Sequence, residues 1–386
     1  MRHSFGRPYL YQKPYMAFLQ GLVDSIGYVF LKPSGRRSED VKKILVSRID
    51  HLGDVFLASS VLPHLKKAYP QARIDFMAAS WSCVCLKDNP YIDRVIVYDA
   101  FKHNRRPGVF KNLSVAIFGF LKAVREIRKD PYDLCLMLRA YPFNGIVLAY
   151  LGGCKNIAGF STGGFGFLLD AVAPYREGVH ESAHLADALN AVGVKVSEKD
   201  LKPSFSVSKA ASSKWASMKK GLGVSDNVPY ILIHTGAGNP KKYWKKEGWQ
   251  TLINSMAANL GYKVFVYDPV CGDLNGCIKI DSLIPFDVFA AALKGATAFA
   301  GLDSLPAHLA ASFGISTVVV WCGINDPVKW RPVGERVAIV KKDLSCAPCS
   351  LKDGCAGMAC MDINAWECFE RMKGLLRSTD FKGSGS

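Results

Sequence analysis

The positions of apolar and polar residues along the chain predict an α/β protein. From residue 42 onward, short apolar runs that are typical of buried strands alternate with longer stretches of helical periodicity. The predicted strands span residues 42–48, 73–78, 94–98, 133–138, 230–234, 263–267, 296–301 and 317–321. The predicted helices span residues 54–69 (kinked or split at Pro63), 113–129, 246–260, 286–295, 306–313 and 362–378. Strands that alternate with helices favour parallel sheets covered on both faces.

A polar stretch near residues 205–228 interrupts this alternation, which then starts again. We therefore predict two Rossmann-like domains, residues 41–210 and 225–361, and a C-terminal helix within residues 362–380. A chain of 386 residues suits two cores of ordinary size. Ligands of open α/β sheets bind beyond the carboxyl ends of the strands, so we expect a ligand cleft between the domains.

Residues 1–40 form an amphipathic and basic extension of different composition. Apolar side chains recur there at helical spacing: Tyr15, Phe18, Leu19, Leu22 and Ile26. Basic residues flank this stripe on both sides: Arg2, Arg7, Lys13, Lys32, Arg36 and Arg37. Two interpretations are open, a helix that lies on an anionic membrane and a helix that packs on the protein's own core.

The composition narrows the class of partner. A formal net charge of +16 favours nucleic acid, anionic lipid or a phosphorylated substrate. The sequence lacks the motifs of common nucleic-acid-binding modules, so we predict no nucleic-acid partner. It also lacks a signal peptide and any run of about 18 uncharged apolar residues, so we expect a cytoplasmic protein without a transmembrane helix. Cysteines in apolar segments, such as Cys83, Cys135 and Cys322, fit a reducing compartment.

The first candidate for chemistry is Asp54, in the sequence ArgIleAspHisLeuGlyAspVal of residues 48–55. It follows a glycine where a predicted strand passes into a helix. Backbone N–H groups at a helix start orient a carboxylate, which can then remove a proton from an attacking hydroxyl. Helix capping is the structural alternative for Asp54. Asp50 and His51 are nearby candidates for the role of base.

Two later segments are candidates for binding a diphosphate. The segment HisThrGlyAlaGlyAsnProLysLysTyrTrp, residues 234–244, brings glycines, a hydroxyl and lysines to a strand end, where backbone amides can approach a phosphate. The segment GlyLeuAspSerLeuProAlaHisLeuAlaAla, residues 301–311, places Asp303 or Ser304 at a helix start. The alternatives are a solvated loop for the first segment and ordinary capping for the second, with His308 as a core residue.

Four cysteines lie close together near the C-terminus: Cys346, Cys349, Cys355 and Cys360. Four thiolates can bind tetrahedral zinc, and an iron–sulfur cluster is an alternative. The spacing is irregular for a zinc ribbon, so disulfides and free thiols are open as well. Because no acid, base or hydroxyl pattern surrounds the cysteines, we expect their role to be structural.

The order of these motifs resembles glycosyltransferase family 9, the heptosyltransferases of lipopolysaccharide core assembly. The resemblance extends from about Lys43 to Leu376. It is carried by IleLeuValSerArgIleAspHisLeuGlyAspVal, by LeuPro and TyrProGlnAlaArgIle after it, and by Lys242-x-Trp244 and AspSer-x-Pro-x-HisLeuAlaAla in the second half. The late cysteine cluster also occurs in some members of the family.

The resemblance implies a GT-B fold, in which the N-terminal Rossmann-like domain binds the acceptor and the C-terminal one binds the nucleotide-sugar donor. It implies an inverting transfer of a sugar, such as heptose from ADP-heptose, to a lipopolysaccharide-core or related anionic glycolipid. No catalytic metal or other cofactor is implied. The enzyme would act as a peripheral protein on the cytoplasmic face of the inner membrane.

The resemblance also implies roles for particular residues. Asp54 would be the general base, and Lys242, two residues before Trp244, would contact the donor phosphates or sugar, with Lys241 as its rival. The other implied donor contacts are Thr235, Gly236, Asp303, Ser304, Leu305 and His308.

Two positions depart from the family pattern. The family usually has glycine where this chain has Leu305, and its acidic ribose contact is matched only weakly, by Asp273. An anionic acceptor could meet basic side chains of the N-terminal domain: Arg105, Arg106, Lys111 and Arg139. A solvated basic surface is the alternative for residues 102–111. Two other functions stay open, a hydrolysing epimerase of the same architecture and a non-catalytic membrane-associated scaffold.

Overall fold

The computed structural model describes residues 9–11, 13–31, 40–99, 113–141, 144–351 and 353–380. The chain divides into two compact units, Met1–Pro203 and Ser204–Ser386. Within the described residues, each unit is built around a parallel sheet, as the alternation of strands and helices predicts.

The first unit has these strands: Lys43–Ser47 (β1), Arg73–Ala78 (β2), Arg94–Val97 (β3), Leu134–Met137 (β4), Ile157–Gly159 (β5) and Ala171–Val172 (β6). Its helices are Pro14–Phe30 (α1), Leu52–Ala58 (α2), Leu62–Ala68 (α3), Leu113–Lys129 (α4), Gly145–Leu151 (α5) and Glu181–Ala191 (α6). In the described part of this unit, the strand order is β3-β2-β1-β4-β5-β6. As predicted, the helix around Pro63 is split, because a 3₁₀ turn at Ser59–Val61 separates α2 from α3.

The second unit repeats the arrangement. Its strands are Tyr230–His234 (β7), Lys263–Tyr267 (β8), Ile278–Ile280 (β9), Ala298–Leu302 (β10), Ser316–Trp321 (β11) and Val337–Lys341 (β12). Its helices are Lys209–Gly221 (α7), Lys246–Leu260 (α8), Phe286–Lys294 (α9), Leu305–Ser312 (α10), Pro327–Trp330 (α11) and Ala365–Asp380 (α12). The strand order is β12-β11-β10-β7-β8-β9 over the residues that the structure describes.

The central strands are buried because apolar side chains fill both of their faces. Ile44, Leu45 and Val46 of β1 are fully buried, and every residue of β11 is buried. Each such Ile, Leu or Val side chain contributes about 1.5–3 kcal/mol of burial free energy. This burial fixes where each strand ends and therefore where the loop after it begins.

The structure differs from the sequence prediction between the two sheets. Residues 205–228, predicted as a linker, contain α7, so the prediction is wrong there. Trp215 of α7 is buried and donates its indole N–H to Tyr230 Oη at 3.0 Å. The lysines and serines of α7 hide this narrow buried face in the sequence. The pattern also does not predict the short strands β5, β6 and β9, nor β12.

Two further findings concern the helices and the cysteines. No helix in the described ranges is both long enough and apolar enough to span a bilayer. Cys135 of β4 forms a disulfide with Cys154, so the interpretation of Cys135 as a free apolar thiol is wrong.

Candidate active site and nucleotide site

In both sheets the strand order reverses beside the first strand of the unit, between β1 and β4 and between β7 and β10. Ligands of open α/β sheets bind beyond the carboxyl ends of the strands at such a switch point. The segments that follow these strands carry these predicted site residues: Asp54, Arg139, Thr235, Gly236, Lys241, Lys242, Asp303 and Ser304. Each unit therefore presents a candidate site by itself.

Arg48, directly after β1, is the centre of a buried charged cluster in the first unit. Its side chain is 1% exposed. Its Nη2 lies 2.9 Å from Asp54 Oδ1 and 3.5 Å from Asp50 Oδ2, and its Nη1 lies 2.8 Å from Glu181 Oε1. Arg139 forms a second ion pair with Asp50. In this described cluster, two guanidinium groups therefore face three carboxyl groups.

Because the cluster has one more carboxyl group than guanidinium groups, the pKa of one carboxyl group is raised. That group is Asp54, whose side chain is 13% exposed. Burial raises the pKa of Asp54 to about 7, and the charge of Asp50 adds to the shift while Arg48 opposes it. Burial also acts to raise the pKa of Asp50, but Arg48 and Arg139 outweigh it and hold that pKa below its usual range. Asp54 therefore exchanges a proton near neutral pH, where a general base is most effective.

The geometry of α2 rejects the alternative role of Asp54 as a helix cap. The N-cap residue of α2 is His51, and Asp54 lies in the first turn with its carboxylate on Arg48. The capping interpretation is therefore wrong. Of the two rival bases, Asp50 is bound by two arginines and accepts from the His51 amide at 3.1 Å, whereas His51 is exposed.

Glu181 is a member of the cluster that the sequence pattern does not predict. It is the first residue of α6, is 3% exposed, and its Oε2 lies 3.0 Å from His184 Nδ1. His184 Nε2 lies 2.7 Å from the Arg176 carbonyl oxygen, and the imidazole stacks on Tyr175. The available signal is a glutamate and a histidine three residues apart, on one face of a helix. This series of contacts holds Arg48, and through it Asp54, in one orientation.

Of the predicted acceptor contacts, Arg105, Arg106 and Lys111 lie outside the described residues, and Arg139 lies within them. The Arg139 side chain is 10% exposed, and its guanidinium lies 5.9 Å from the centroid of the Tyr141 ring. Arg139 also lines a small pocket at the carboxyl ends of β1 and β4. Since its charge already faces Asp50, Arg139 helps to keep Asp50 ionised.

In the second unit, Lys242 and Asp303 form an ion pair at the carboxyl end of β10. Lys242 Nζ lies 2.6 Å from Asp303 Oδ2 and 3.3 Å from the Asp303 carbonyl oxygen. Asn325, which the sequence pattern does not predict, donates its amide N–H to the same Oδ2 at 2.6 Å. The Lys242 side chain is 14% exposed, whereas Lys241 is an exposed residue. The geometry therefore favours Lys242 over Lys241 as the lysine of this site.

Helix α10 begins beside this ion pair. Ser304 is its N-cap residue, but the hydroxyl makes no capping bond among the described residues and lies 3.3 Å from the Leu302 carbonyl oxygen. The N–H groups at the start of α10 are therefore not satisfied by this side chain and suit an anion. Leu305 and His308 are 9% and 7% exposed, so a packed side chain stands where the family has glycine.

Thr235 and Asp268, which directly follow β7 and β8, form a partly buried polar contact. Thr235 is fully buried and donates its hydroxyl to Asp268 Oδ1, which also accepts from the amides of Val270 at 3.1 Å and Cys271 at 2.8 Å. Burial opposes ionisation of Asp268, but these donors outweigh it and hold the pKa of Asp268 below its usual range. Asp268 Oδ2 is buried and accepts no hydrogen bond from the described residues.

Asp273 does not belong to this group. Its side chain is 94% exposed and pairs with Lys279 at 2.9 Å. The carboxylate that directly follows β8 is Asp268, so Asp268, and not Asp273, is the acidic residue beside Thr235. The signal available in the sequence is an aspartate at the first position after a buried strand. At Gly236, close to Thr235, an added Cβ would lie 2.5 Å from Pro269, so only glycine fits this turn.

The late cysteines do not assemble into a metal site. In the part of the chain that the structure describes, no group of three or more His, Cys, Asp or Glu side chains is placed to hold a metal ion. Cys360 is buried with its Sγ 3.8 Å from that of Cys322, whereas Cys346 and Cys355 are exposed and Cys349 is partly buried. Cys322 Sγ also lies 3.8 Å from the Lys241 carbonyl oxygen, so this cysteine pair packs behind the Lys242 loop.

Known proteins with similar sequences and folds are consistent with this description. The sequence model of Glycosyltransferase family 9 (heptosyltransferase) matches residues 277–357. The chain is 24% identical over 304 residues to Lipopolysaccharide heptosyltransferase 3 of Escherichia coli, which covers 72% of this chain and 83% of the relative.

Two solved structures share the fold. The glycosyl transferase family 9 protein from Veillonella parvula DSM 2008 has a TM-score of 0.73 at 22% identity. E. coli ADP-heptose lps heptosyltransferase II has a TM-score of 0.66 at 20% identity. Both similarities cover 88% of this chain and 99% of the solved chain.

The two parallel sheets and these structural neighbours define an α/β protein of the GT-B fold. The resemblance to glycosyltransferase family 9 that the motifs predict is confirmed, and the chain is a heptosyltransferase-like glycosyltransferase.

Proposed function

We propose that this enzyme transfers heptose from ADP-heptose to an anionic lipopolysaccharide-core or related glycolipid, with inversion at the anomeric carbon. The names of its relatives support the sugar and the acceptor class, since one is a lipopolysaccharide heptosyltransferase and another an ADP-heptose heptosyltransferase. The observation that carries the proposal is the carboxyl group of Asp54, held by buried Arg48 and with a pKa of about 7.

The acceptor half of the reaction depends on Asp54. Its carboxylate takes the proton of the acceptor hydroxyl while the hydroxyl oxygen attacks the anomeric carbon from the face opposite the nucleotide. The new C–O bond forms as the bond to the diphosphate oxygen breaks, and the proton stays on Asp54. The basic residues of the 102–111 segment attract the anionic acceptor, while Arg139 neutralises Asp50.

The donor half of the reaction depends on the second unit. Negative charge develops on the leaving diphosphate, and Lys242 with the first amides of α10 stabilises it. Asp303 holds Lys242 in position, and Asn325 in turn holds the Asp303 carboxylate. We assign the contact with the ribose hydroxyls to Asp268, whose carboxylate Thr235 orients. These groups supply the electrostatic role that a divalent cation has in other transferases, so the proposed reaction requires no metal or other cofactor.

The place of action follows from the acceptor. A lipopolysaccharide-core glycolipid that receives sugar from a nucleotide donor is reached from the cytoplasmic side of the inner membrane. We therefore place the enzyme there as a peripheral protein, with no nucleic-acid partner.

The test combines a binding screen with a transfer assay. ADP and ADP-heptose should raise the melting temperature of the protein, because only the folded site binds them, and UDP-sugars should not. With a heptose-deficient lipopolysaccharide acceptor, the wild type should form a product of inverted anomeric configuration, and Asp54→Asn should form roughly 10²–10⁴-fold less. Undiminished transfer by folded Asp54→Asn would reject Asp54 as the base. Release of free sugar without acceptor would indicate a hydrolysing epimerase instead.

A further inference from the structure

Helix α1 packs on the first unit with its polar side. Gln20, Asp24 and Gly27 are its buried residues. The Asp24 carboxylate accepts three hydrogen bonds: from Tyr9 Oη at 2.9 Å, from Gln20 Nε2 at 2.8 Å and from the Phe165 amide at 2.9 Å. A buried carboxylate with three donors is costly to turn away from them, so these bonds fix which side of α1 faces the protein.

Two close contacts support the same orientation. The Tyr11 hydroxyl lies 3.0 Å from Gln20 Oε1 and 3.3 Å from the Gly163 carbonyl oxygen. An added Cβ at Gly27 would lie 2.4 Å from the Phe167 ring, so glycine allows the helix to approach this surface. Rotation of α1 about its axis would break all of these contacts.

The opposite side of α1 is apolar and exposed. Large apolar side chains on α1 are between 44% and 79% exposed: Tyr15, Phe18, Leu19, Leu22, Val23, Ile26, Tyr28, Val29 and Phe30. At 3.6 residues per turn, all of them except Tyr28 fall within an arc of about 140°, centred opposite Asp24. The helix is therefore amphipathic in the reverse sense to an ordinary surface helix, which turns its apolar side inward.

We infer that α1 is a membrane-docking helix whose apolar side enters the interfacial region of a bilayer containing anionic lipid. An exposed apolar patch of this breadth marks an interaction surface. The charges on and around α1 favour anionic lipid as its partner. Asp24 is the acidic residue of α1, and it is buried in the contacts above, so no carboxylate on the helix faces anionic headgroups. Lys13 is exposed at its N-terminal end, and the chain carries a net charge of +16.

The length and composition of α1 support a position on the bilayer surface. The helix has 17 residues, and no helix among the described residues, α1 included, is long and apolar enough to span a membrane. Exposed Tyr15 suits the headgroup region, while Phe18 and Ile26 suit the acyl boundary. This inference deepens the proposed action on a glycolipid. It rests on the proposed function only for the purpose of docking, because the contacts and exposure of α1 carry the inference itself.

The test is a vesicle-binding experiment on the full chain. The variant Phe18→Glu/Ile26→Glu places two carboxylates on the exposed arc, at side chains that are 68% and 61% exposed. The matched control, Leu283→Glu/Val328→Glu, makes the same change at exposed apolar residues of the second unit. Binding to vesicles of phosphatidylethanolamine and phosphatidylglycerol is measured by sedimentation, with phosphatidylcholine vesicles for comparison.

We expect the wild type and the control to bind the anionic vesicles equally and the α1 variant to bind roughly 100-fold more weakly, about tenfold for each side chain. Equal binding by the α1 variant would overturn the inference. A second outcome would also overturn it: the wild type is an oligomer, and the α1 variant is a monomer that still binds vesicles. In that case α1 would pack against a second copy of the chain instead of lipid. The ADP-induced rise in melting temperature is measured on the same variants. Its absence from the wild type would reject the proposed donor, whatever the vesicles show.

Discussion

Replacement of Glu181 by glutamine should shift the pH dependence of the enzyme without removing its base. Asp54 and Glu181 bind opposite nitrogens of Arg48, at 2.9 Å and 2.8 Å. Glu181→Gln removes one of three carboxylates that share two guanidinium groups, so the charges balance with Asp54 ionised. The pKa of Asp54 should therefore fall from about 7.

The size of this shift can be bounded from the geometry. Two carboxylates on opposite sides of one guanidinium are roughly 6 Å apart, which corresponds to about 3 kcal/mol of repulsion at an effective dielectric constant of about 20. This equals about two pKa units as an upper bound. Burial and Asp50 contribute more to the pKa of Asp54 than Glu181 does, so we expect a shift of about one unit.

Two measurements test the shift. The first is the acid limb of the profile of kcat/KM against pH, which should move about one unit lower, a gain of about tenfold at acidic pH. The second needs no substrate: the infrared band of the protonated Asp54 carboxyl, identified by its loss in Asp54→Asn, should titrate at lower pH. Glu177→Gln, at an exposed glutamate, is the matched control. An unchanged limb and an unchanged carboxyl band in folded Glu181→Gln would refute this account of the cluster.

Other predictions follow from the same geometry. Lys242→Ala should lower kcat by roughly 10²–10³-fold, whereas Lys241→Ala should leave it within a few-fold, as steady-state transfer kinetics will show. Asp268→Asn should reduce the rise in melting temperature caused by ADP; an undiminished rise would remove Asp268 from the nucleotide site. Because the pKa of Asp54 is raised in the folded protein, the folded state binds this proton more tightly than the unfolded state does. The free energy of unfolding should therefore fall as the pH rises from about 4 to about 7. Asp54→Asn lacks this loss, so its melting temperature relative to the wild type should be higher at pH 8 than at pH 5, and the opposite trend would contradict the raised pKa.

Local sequence patterns predict much of the architecture. The boundaries of β2, α4, β7, α8 and β8 agree with the sequence prediction to the residue, because long apolar periodicity and flanking Gly or Pro are local signals. Asp54 and Lys242 could be selected for the same reason, since each stands in a short motif at the end of a strand.

The partners of these residues could not be selected in this way. Glu181 is 133 residues from Arg48, and Asn325 is 22 residues from Asp303, so only folding brings them together. Asp268 directly follows the strand predicted at residues 263–267, but its contact with Thr235 exists only in the folded protein. The sequence also left open whether the apolar stripe of α1 faces inward or outward.

Sequence by itself determined the longer central strands, most of the long helices and the motif order, since each depends on neighbours a few residues away. Tertiary structure decided which carboxyl of the Arg48 cluster holds a proton and which side of α1 meets the protein. Both outcomes depend on burial and on charges from distant segments, because the energy of a charged group is set by everything packed around it.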